Sequence, residues 1–393
     1  MSHIVFENVD IVFGEAQKNA LTKLDQGGTR DEILKSTGSV IGVAGASLTV
    51  EEGEICVLMG LSGSGKSTLL RAVNGLNKVA RGKVMLKHRG EMVDIAKIDA
   101  DTLRAVRTES VAMVFQQFAL LPWRTVKDNV GFGLELKGMG KAERDAIVDQ
   151  KLKMVQLDPW AHKYAHELSG GMQQRVGLAR AFATDASLLL MDEPFSALDP
   201  LIRTKLQDEL LSLQKNLKKT ILFVSHDLDE AMKIGNRIAI MEGGRVVQWG
   251  TPEDIILRPA NDYVAEFVAH MNPLNVVRAR SIMRPLANCA YEGLRYFIDE
   301  ERKASITIDA NGKPNAATIE GVEVPLLRIE ADGVVPNNAK HGIAIASPDI
   351  TLKSAIALRQ TCGHGLGLVD DQGRLIGLCD DSDIFSGLLR EKR

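Results

Sequence analysis

A short glycine-rich stretch contains residues whose types and spacing suit phosphate chemistry. GLSGSGKS (Gly60–Ser67) fits the pattern G-x-x-x-x-G-K-[ST] completely. Glycines let such a loop curl so that consecutive backbone N–H groups converge on phosphate oxygens at the start of a helix. We predict that Lys66 reaches the β- and γ-phosphates of a nucleotide, that Ser67 binds Mg²⁺ and that Thr68 donates to the α-phosphate. The predicted phosphate contacts are Gly60, Leu61, Ser62, Gly63, Ser64, Gly65, Lys66, Ser67 and Thr68.

The stretch LLLMDEP supplies acids that complement this loop. Asp192 ends an apolar run typical of a buried strand, and Glu193 follows it directly. Asp192 is expected to hold Mg²⁺ directly or through water, and Glu193 to polarise a water molecule for attack on the γ-phosphate. Acids are common at strand ends, so this pair gains its meaning from the glycine loop upstream.

Two further polar residues follow predicted strands. Gln116, in VFQQFALLP, is expected to contact both the metal and the attacking water, with a surface glutamine as the alternative. We prefer it to Gln117 because it follows the strand directly. His226, after ILFV, is expected to hydrogen-bond the γ-phosphate, and the alternative is a structural histidine.

A second glycine-rich loop, LSGGMQQR, precedes a predicted helix but has no lysine. Ser169, Gly170 and Gly171 offer a hydroxyl, bare backbone N–H groups and the positive end of a helix dipole. Such a loop suits one exposed γ-phosphate better than a whole nucleotide, so something else must present that phosphate. A second copy of the chain, packed head-to-tail, would do so.

The elements that must position these motifs alternate between strands and helices. Four segments have the apolar patterns of strands: HIVFENVDIVFG, GEICVLMG, ASLLLMDEP and KKTILFVSHD. The segment KSTLLRAVNGL has the apolar spacing of a helix. RIAIMEGGRVVQWGTP reads as a hairpin that turns at Gly243 and Gly244. Polar residues at the strand ends indicate an α/β fold with a parallel-rich sheet and its site along the carboxyl edge.

A helical insertion at about residues 15–40 interrupts the first strands. Thr29 and Glu32 stand at capping-box spacing, and Gly38 lies where a helix would stop.

Composition limits the classes of protein that the chain can represent. Its 393 residues favour two domains, and its formal charge of −3 argues against nucleic acid as the main partner. Four cysteines without paired spacing favour reduced thiols in a cytoplasm, and the N-terminus lacks the pattern of a signal peptide. No apolar run approaches the roughly 18 residues that span a bilayer, so a membrane role requires a partner.

The order of these motifs resembles that of a known family. Six motifs follow the order and spacing found in the ATPase subunits of ABC transporters, and the resemblance covers roughly residues 1–270. They are GLSGSGKS, the Gln116 segment, LSGGMQQR, LLLMDEP, SALD (Ser196–Asp199) and His226. The resemblance implies a P-loop fold with a RecA-like core, an antiparallel β subdomain and an α-helical subdomain. It also implies that two subunits sandwich two ATP molecules, each between the lysine loop of one subunit and the LSGG loop of the other.

The resemblance also suggests roles for individual residues. It implies that Glu193 is the catalytic base, His226 the γ-phosphate sensor and Asp199 a contact between subunits. An aromatic ring stacks on adenine in this family. Phe13 is the candidate here, and a core phenylalanine is the alternative.

Three stretches are similar to the ATPases of glycine betaine/proline/choline (quaternary amine) importers. They are the helical insertion, the segment GEICVLMGLSGSGKSTLLRAVNGL and the segment FQQFALLPWRTVKDNV. This similarity implies an ATPase that uses ATP and Mg²⁺ and lies peripherally on the cytoplasmic face of the inner membrane. Its partners would be a second copy, a membrane permease that contacts Phe118–Val126 and, indirectly, a substrate-binding protein. A soluble ABC ATPase without transport and a sensor that needs ATP binding alone are the alternatives.

The chain changes character near Ala269–Val277, so we predict a second domain over residues 271–393. It resembles the paired CBS modules of the same importer group, the second module covering about 341–393 and the first being degenerate. SPDITLKSAIALRQTCGHGLGLVDDQGRLIGLCDDSDIFSGLL reads as helix, strand, DDQG turn, strand and helix. Asp383 matches the aspartate of nucleotide-binding modules, but Asp380 replaces their hydroxyl residue and would repel a phosphate. A packing and dimer-contact domain is therefore the alternative to a nucleotide sensor.

Overall fold

The computed structural model divides the chain into two compact units, Met1–Thr251 and Pro252–Arg393. The first unit ends ahead of the boundary expected near residue 270, and that predicted end of the ATPase domain stays a prediction. The residues that the structure describes are 1–116, 119–329 and 342–389, apart from the side chain of Leu213.

Some of the predictions concern residues beyond this set. Gln117 and Phe118, the latter from the predicted permease contact, lie outside the described residues, as do residues 330–341 of the expected first CBS module and residues 390–393.

The described residues of the first unit form two β-sheets. A four-stranded antiparallel sheet has the order β2-β1-β4-β5, and a six-stranded sheet has the order β10-β9-β3-β8-β7-β6. In the larger sheet, β10 alone runs antiparallel to its neighbour. The strands are β1 (Ser2–Phe13), β2 (Val40–Glu51), β3 (Ile55–Met59), β4 (Arg81–His88), β5 (Glu91–Asp94), β6 (Val111–Val114), β7 (Leu188–Asp192), β8 (Thr220–Val224), β9 (Arg237–Glu242) and β10 (Arg245–Gly250).

The parallel-rich sheet confirms the prediction made from the apolar runs. Every residue of β3, β7 and β8 is buried, as expected of parallel strands covered on both faces. The predicted hairpin turn is also confirmed, because Gly243 and Gly244 have φ values of +55° and +85°. The carboxyl ends of β3, β7 and β8 lead directly into the first glycine loop, the acidic pair and the His226 segment.

Helices surround these sheets. The one predicted over KSTLLRAVNGL starts as expected but ends at Leu70, after which the backbone tightens to i→i+3 hydrogen bonds, from the Ala72 N–H to Leu69 and from the Val73 N–H to Leu70. The helices of this unit are α1 (Gln17–Asp25), α2 (Arg30–Thr37), α3 (Lys66–Leu70), α4 (Ala100–Ala105), α5 (Val126–Leu136), α6 (Lys141–Met154), α7 (Gly170–Ala183), α8 (Pro200–Leu217) and α9 (Leu228–Ile234).

The insertion consists of α1 and α2, as predicted. The Thr29 N–H donates to Glu32 at 2.8 Å, the Thr29 hydroxyl accepts from the Glu32 N–H at 3.4 Å, and Gly38 ends α2 with φ +67°. A buried apolar cluster packs both helices onto β1 and β2. Its fully and nearly buried members are Val12, Ala20, Ile33, Ile41 and Ala44.

The second unit contains two five-stranded sheets within its described residues, with the orders β11-β20-β19-β18-β17 and β12-β13-β14-β15-β16. Its helices are α10 (Pro252–Leu257), α11 (Asp262–Val268), α12 (Ala279–Ile282), α13 (Leu352–Cys362) and α14 (Asp381–Leu389). Its strands are β11 (Arg284–Pro285), β12 (Tyr291–Glu292), β13 (Arg295–Phe297), β14 (Ala304–Ile308), β15 (Pro314–Ile319), β16 (Val322–Val324), β17 (Leu326–Ile329), β18 (Ile343–Ala346), β19 (Leu366–Val369) and β20 (Leu375–Cys379).

The last part of this unit has the predicted order of elements, and its earlier part contains strands that were not predicted. The order helix, strand, turn, strand and helix predicted for its last part is observed as α13, β19, a turn, β20 and α14. The segment expected to be a degenerate first module contains an antiparallel meander, β12 to β16, and its assignment as such a module stays a prediction. Left-handed glycines at its hairpin turns, Gly293, Gly312 and Gly321, explain the close succession of short strands.

Among the helices of the described residues, none is both long enough and apolar enough to cross a lipid bilayer.

Candidate nucleotide site

The first glycine loop joins β3 to α3 and requires glycine at two positions. Gly60 has φ +139°, and a Cβ there would lie 2.1 Å from the carbonyl oxygen of Met241. Gly65 has φ +99°, and a Cβ there would lie 2.5 Å from the carbonyl oxygen of Gly42. The loop therefore curls tightly between β9 and β2, which leaves no room for side chains at these points.

Lys66 follows the loop and is only 6% exposed. Its Nζ donates to the carbonyl oxygens of Gly60 at 2.8 Å and Leu61 at 2.9 Å. Burial lowers the pKa of Lys66, while the nearby charges of Glu193 and Asp192 act in the opposite direction. The buried Ser64 hydroxyl in the same loop has no hydrogen-bond partner among the described residues.

The structure brings Asp192 against the start of α3. Its fully buried carboxylate accepts a hydrogen bond from the Ser67 hydroxyl at 2.7 Å. The same carboxylate accepts from the Arg71 guanidinium at 2.8 and 3.2 Å. Sequence reasoning overlooked Arg71, although it stands four residues after Ser67 and thus on the same face of the helical turn.

Glu193 lies at the centre of the predicted catalytic residues. Its backbone is left-handed, with φ +49°, a conformation that is uncommon outside glycine and is often found at functional sites. Its carboxylate accepts from the Gln116 side-chain amide at 3.1 Å and lies 3.2 Å from His226 Nδ1. Three residues that follow three different strands therefore meet at one edge of the sheet.

The second glycine loop begins α7. The Ser169 hydroxyl caps this helix by accepting from the Met172 N–H at 3.4 Å. Within the described part of this single chain, the hydrogen bonds of Ser169 and Lys66 join each loop to its own surroundings and not to the other loop. The two glycine loops thus remain separate elements of one chain.

Gln174 connects α7 to the acidic strand end. Its side chain is fully buried, donates to the Glu193 carbonyl oxygen at 3.1 Å and accepts from the Ala197 N–H at 3.1 Å. The sequence LSGGMQQR does not predict this role, because a sequence does not show that a polar residue is buried. Asp199, at the end of the SALD motif, caps α8 by accepting from the Ile202 N–H at 3.0 Å.

Phe13 ends β1 at the base of the insertion. The residue is 42% exposed, so the alternative of a core phenylalanine does not hold. The ring lies so close to Gly42 that a Cβ there would be 2.7 Å from Phe13 Cε2, and 3.0 Å from the Thr68 methyl group. An exposed aromatic face thus stands next to the element that follows the first glycine loop.

This fold and this site define a P-loop ATPase: a glycine loop with its lysine at the end of one strand, and an aspartate–glutamate pair at the end of another. A sequence profile described as ABC transporter matches residues 43–196. The glycine betaine/proline betaine transport system ATP-binding protein ProV of Escherichia coli (strain K12) is 42% identical over 395 residues, covering 98% of this chain and 97% of its own.

Another relative and a solved structure agree with this match. The glycine betaine/carnitine transport ATP-binding protein GbuA of Listeria monocytogenes serotype 1/2a is 47% identical over 393 residues, covering 99% of this chain and 98% of its own. A dimeric structure of the ABC transporter cassette MJ0796 has a TM-score of 0.55 and 30% identity, covering 63% of this chain and 98% of that one. The chain belongs to the family of ABC transporter ATP-binding subunits, and the predicted ATPase coupled to transport is confirmed.

Proposed function

We propose that this chain hydrolyses ATP to drive import of a quaternary amine or related compatible solute, such as glycine betaine, choline or proline. Similarity along nearly the whole chain to ProV and GbuA supports this class of solute. The observation that carries the catalytic proposal is the contact of Glu193 with both Gln116 and His226. The chain itself selects no solute, since selectivity in such importers belongs to other subunits.

The first glycine loop and its surroundings are proposed to hold Mg²⁺ and ATP. The Ser67 hydroxyl, the Asp192 carboxylate and the Gln116 amide are the hard oxygen donors that Mg²⁺ prefers. When bound, the ion would neutralise charge on the phosphates. The backbone N–H groups of the loop and the Lys66 ammonium would hold the β- and γ-phosphates, and the exposed Phe13 ring would stack on adenine.

Glu193 is proposed as the general base of hydrolysis. It accepts a proton from water as the water oxygen bonds to the γ-phosphorus, and the bond from that phosphorus to the β–γ bridging oxygen breaks, which yields ADP and phosphate. His226, whose Nδ1 lies 3.2 Å from the Glu193 carboxylate, would hydrogen-bond the γ-phosphate. Gln116 keeps the carboxylate oriented through its own hydrogen bond.

A second copy of the chain is proposed to complete each site. Ser169, Gly170 and Gly171 would hold the γ-phosphate presented by the partner's first loop, and Asp199 would contact the partner. The separation of the two loops within one chain and the dimeric cassette MJ0796 support this arrangement. Each reaction then requires two chains.

A groove in the first unit is the proposed docking site of the membrane permease. It has a volume of about 390 Å³ and an apolar floor, and two arginines lie along it. Leu121, from the predicted contact segment, lines the groove, and Trp123 nearby is 72% exposed. An apolar cytoplasmic segment of the permease would fit here and keep the ATPase peripheral, with the substrate-binding protein acting from the other side. The other lining residues are Asn74, Leu76, Arg107, Val111, Met113, Phe115, Ala119, Phe132 and Arg180.

The second unit is proposed to be a CBS-like packing and contact domain rather than a nucleotide sensor. The Arg284 guanidinium pairs with Asp380 at 2.6 Å and with Asp383 at 3.1 Å. Both carboxylates at the expected ligand position are therefore engaged inside the unit.

Glu193→Gln tests the catalytic proposal in cells and in solution. In a deletion strain, uptake of labelled glycine betaine, choline or proline should return with the wild-type gene and not with the Glu193→Gln gene. The purified variant should retain ATP in a stable dimer, visible by light scattering after gel filtration, because it binds the nucleotide but lacks the base.

Glu143→Gln is the matched control, since Glu143 is an exposed residue of α6. It should support normal uptake and no trapped dimer. Full uptake with Glu193→Gln would refute the motor and favour a sensor that needs ATP binding alone. A third outcome is that the purified Glu193→Gln variant traps ATP in a dimer, while deletion of the gene does not reduce uptake of any of the three solutes. This outcome would favour an ABC ATPase without this transport role.

A further inference from the structure

The two-helix insertion takes no part in the reaction proposed above, yet one of its residues touches the first glycine loop. Arg30, the first residue of α2, donates from Nη1 to the carbonyl oxygen of Gly63 at 3.0 Å. Gly63 is left-handed, with φ +78°, and a Cβ at this position would meet no atom within 4 Å. The loop is therefore not packed tightly at Gly63, and the guanidinium supplies a contact there.

The insertion is fixed firmly enough for this contact to constrain the loop. The carboxylate of Asp25, at the end of α1, accepts two hydrogen bonds of 2.8 Å from Arg81, which also pairs with Asp10 at 2.6 Å. On α2, Ile33 is fully buried in the cluster shared with β1 and β2. The bidentate pair is solvent-exposed and adds little, so the buried apolar cluster is what mainly holds the two helices.

The base of the insertion lies at the same site. Phe13 and Val40, the last residue of β1 and the first of β2, pair across the sheet at the insertion's two ends. The Phe13 ring stands beside Gly42 and near Thr68, just after the glycine loop. The insertion therefore reaches the nucleotide site through its base and again through Arg30.

We propose that the insertion braces the nucleotide site and that Arg30 is its positioning residue. By holding the Gly63 carbonyl, Arg30 restricts a loop rich in left-handed glycines before ATP arrives, which lowers the entropy lost on binding. Its positive charge beside the loop also attracts the anionic phosphates, an effect that salt screens. This inference depends on the ATPase activity and not on which solute is transported.

The test compares three variants of the full-length chain, Arg30→Met, Arg30→Lys and Lys35→Met. Methionine removes the donor and the charge but keeps helix propensity, and Lys35 is an exposed cation at the other end of the same helix. Binding of the non-hydrolysable analogue AMP-PNP with Mg²⁺ is measured by calorimetry at low and high salt. Peptide hydrogen exchange reports the protection of residues 61–65 without nucleotide.

We expect Arg30→Met to weaken binding about threefold to tenfold at low salt, and less at high salt. KM for ATP should rise similarly while kcat changes little, and exchange in the loop should accelerate. Arg30→Lys should recover most of the affinity, and Lys35→Met should match the wild type. The proposal would be overturned if Arg30→Met kept wild-type affinity and loop protection. It would also be overturned if Lys35→Met weakened AMP-PNP binding equally, or if Arg30→Lys did not recover affinity. These outcomes are independent of the uptake assays of Glu193→Gln.

Discussion

Asp192 is a fully buried carboxylate whose cationic partner, Arg71, is more than a third exposed. We expect Arg71→Met to lower the free energy of unfolding by about 1–3 kcal/mol, because the carboxylate loses its charge partner and two hydrogen bonds but keeps its burial. Urea unfolding of the full chain, followed by tryptophan fluorescence, measures the change; all three tryptophans (Trp123, Trp160 and Trp249) lie in the first unit.

Arg104→Met is the control for this substitution. Arg104 pairs with Asp101 at 3.6 Å, with both side chains at least 79% exposed, so its loss should cost less than about 0.5 kcal/mol. Equal stability of the two variants would show that the Arg71–Asp192 pair does not stabilise the fold.

The meeting of Gln116, Asp192, Glu193 and His226 could be predicted from the sequence, since each follows an apolar strand and parallel strands end at one edge. The contacts of Arg71 and Gln174 could not be predicted. They depend on how far a long side chain reaches and on burial, neither of which leaves a repeating pattern in the sequence. The exposure of Phe13 was undecided for the same reason, because a strand end can point either way.

At the scale of single elements, the first glycine loop depends on close backbone packing. Gly65→Ala should destabilise the chain by about 2 kcal/mol or more and abolish AMP-PNP binding, because the new Cβ would lie 2.5 Å from the Gly42 carbonyl oxygen at φ +99°. Thermal unfolding and calorimetric binding measure the two effects.

Gly90→Ala separates backbone strain from this collision. Gly90 has φ +91° in the hairpin between β4 and β5, and a Cβ there would meet no atom within 4 Å. This variant should lose about 1–2 kcal/mol at most and bind AMP-PNP normally. If Gly65→Ala behaved like it, the close approach of β2 to the loop would have no energetic consequence.

Elements with strong patterns were predicted well, and short ones were not. The capping box of α2 and the buried strands of the larger sheet follow directly from local residue types. The meander of the second unit was missed, since β12 and β13 contain two and three residues and are too short for any periodicity to emerge.

At the scale of the whole molecule, the second unit contains a cluster that should make stability depend on pH. Burial raises the pKa of Asp383 to about 6, from an ordinary value of 3.8, with Asp380, Arg284 and Cys289 around it. A folded-state pKa above the unfolded value stabilises the fold fully below about pH 4, and this stabilisation is lost as the pH rises through 6. The lowered pKa of Asp380 acts in the opposite direction at more acidic pH.

Asp383→Asn should therefore flatten the dependence between about pH 4 and pH 6. Hydrogen exchange of peptides from β20 and α14, corrected for intrinsic rates, measures the local free energy of opening in both proteins. Asp371→Asn is the control, because Asp371 is an exposed carboxylate in the turn between β19 and β20. An unchanged slope in Asp383→Asn would show that Asp383 does not titrate in this range.

The Gln174 amide links α7 to the segment that follows β7. Rotation of that helix against the sheet would stretch the hydrogen bond from the buried Gln174 side chain to the Glu193 carbonyl oxygen and the one it accepts from the Ala197 N–H. A neighbour that pulls on the LSGG loop would consequently shift the backbone of Glu193, the proposed general base, as well. In the proposed head-to-tail dimer, engagement of one site would thus be transmitted, through one side chain, to the other.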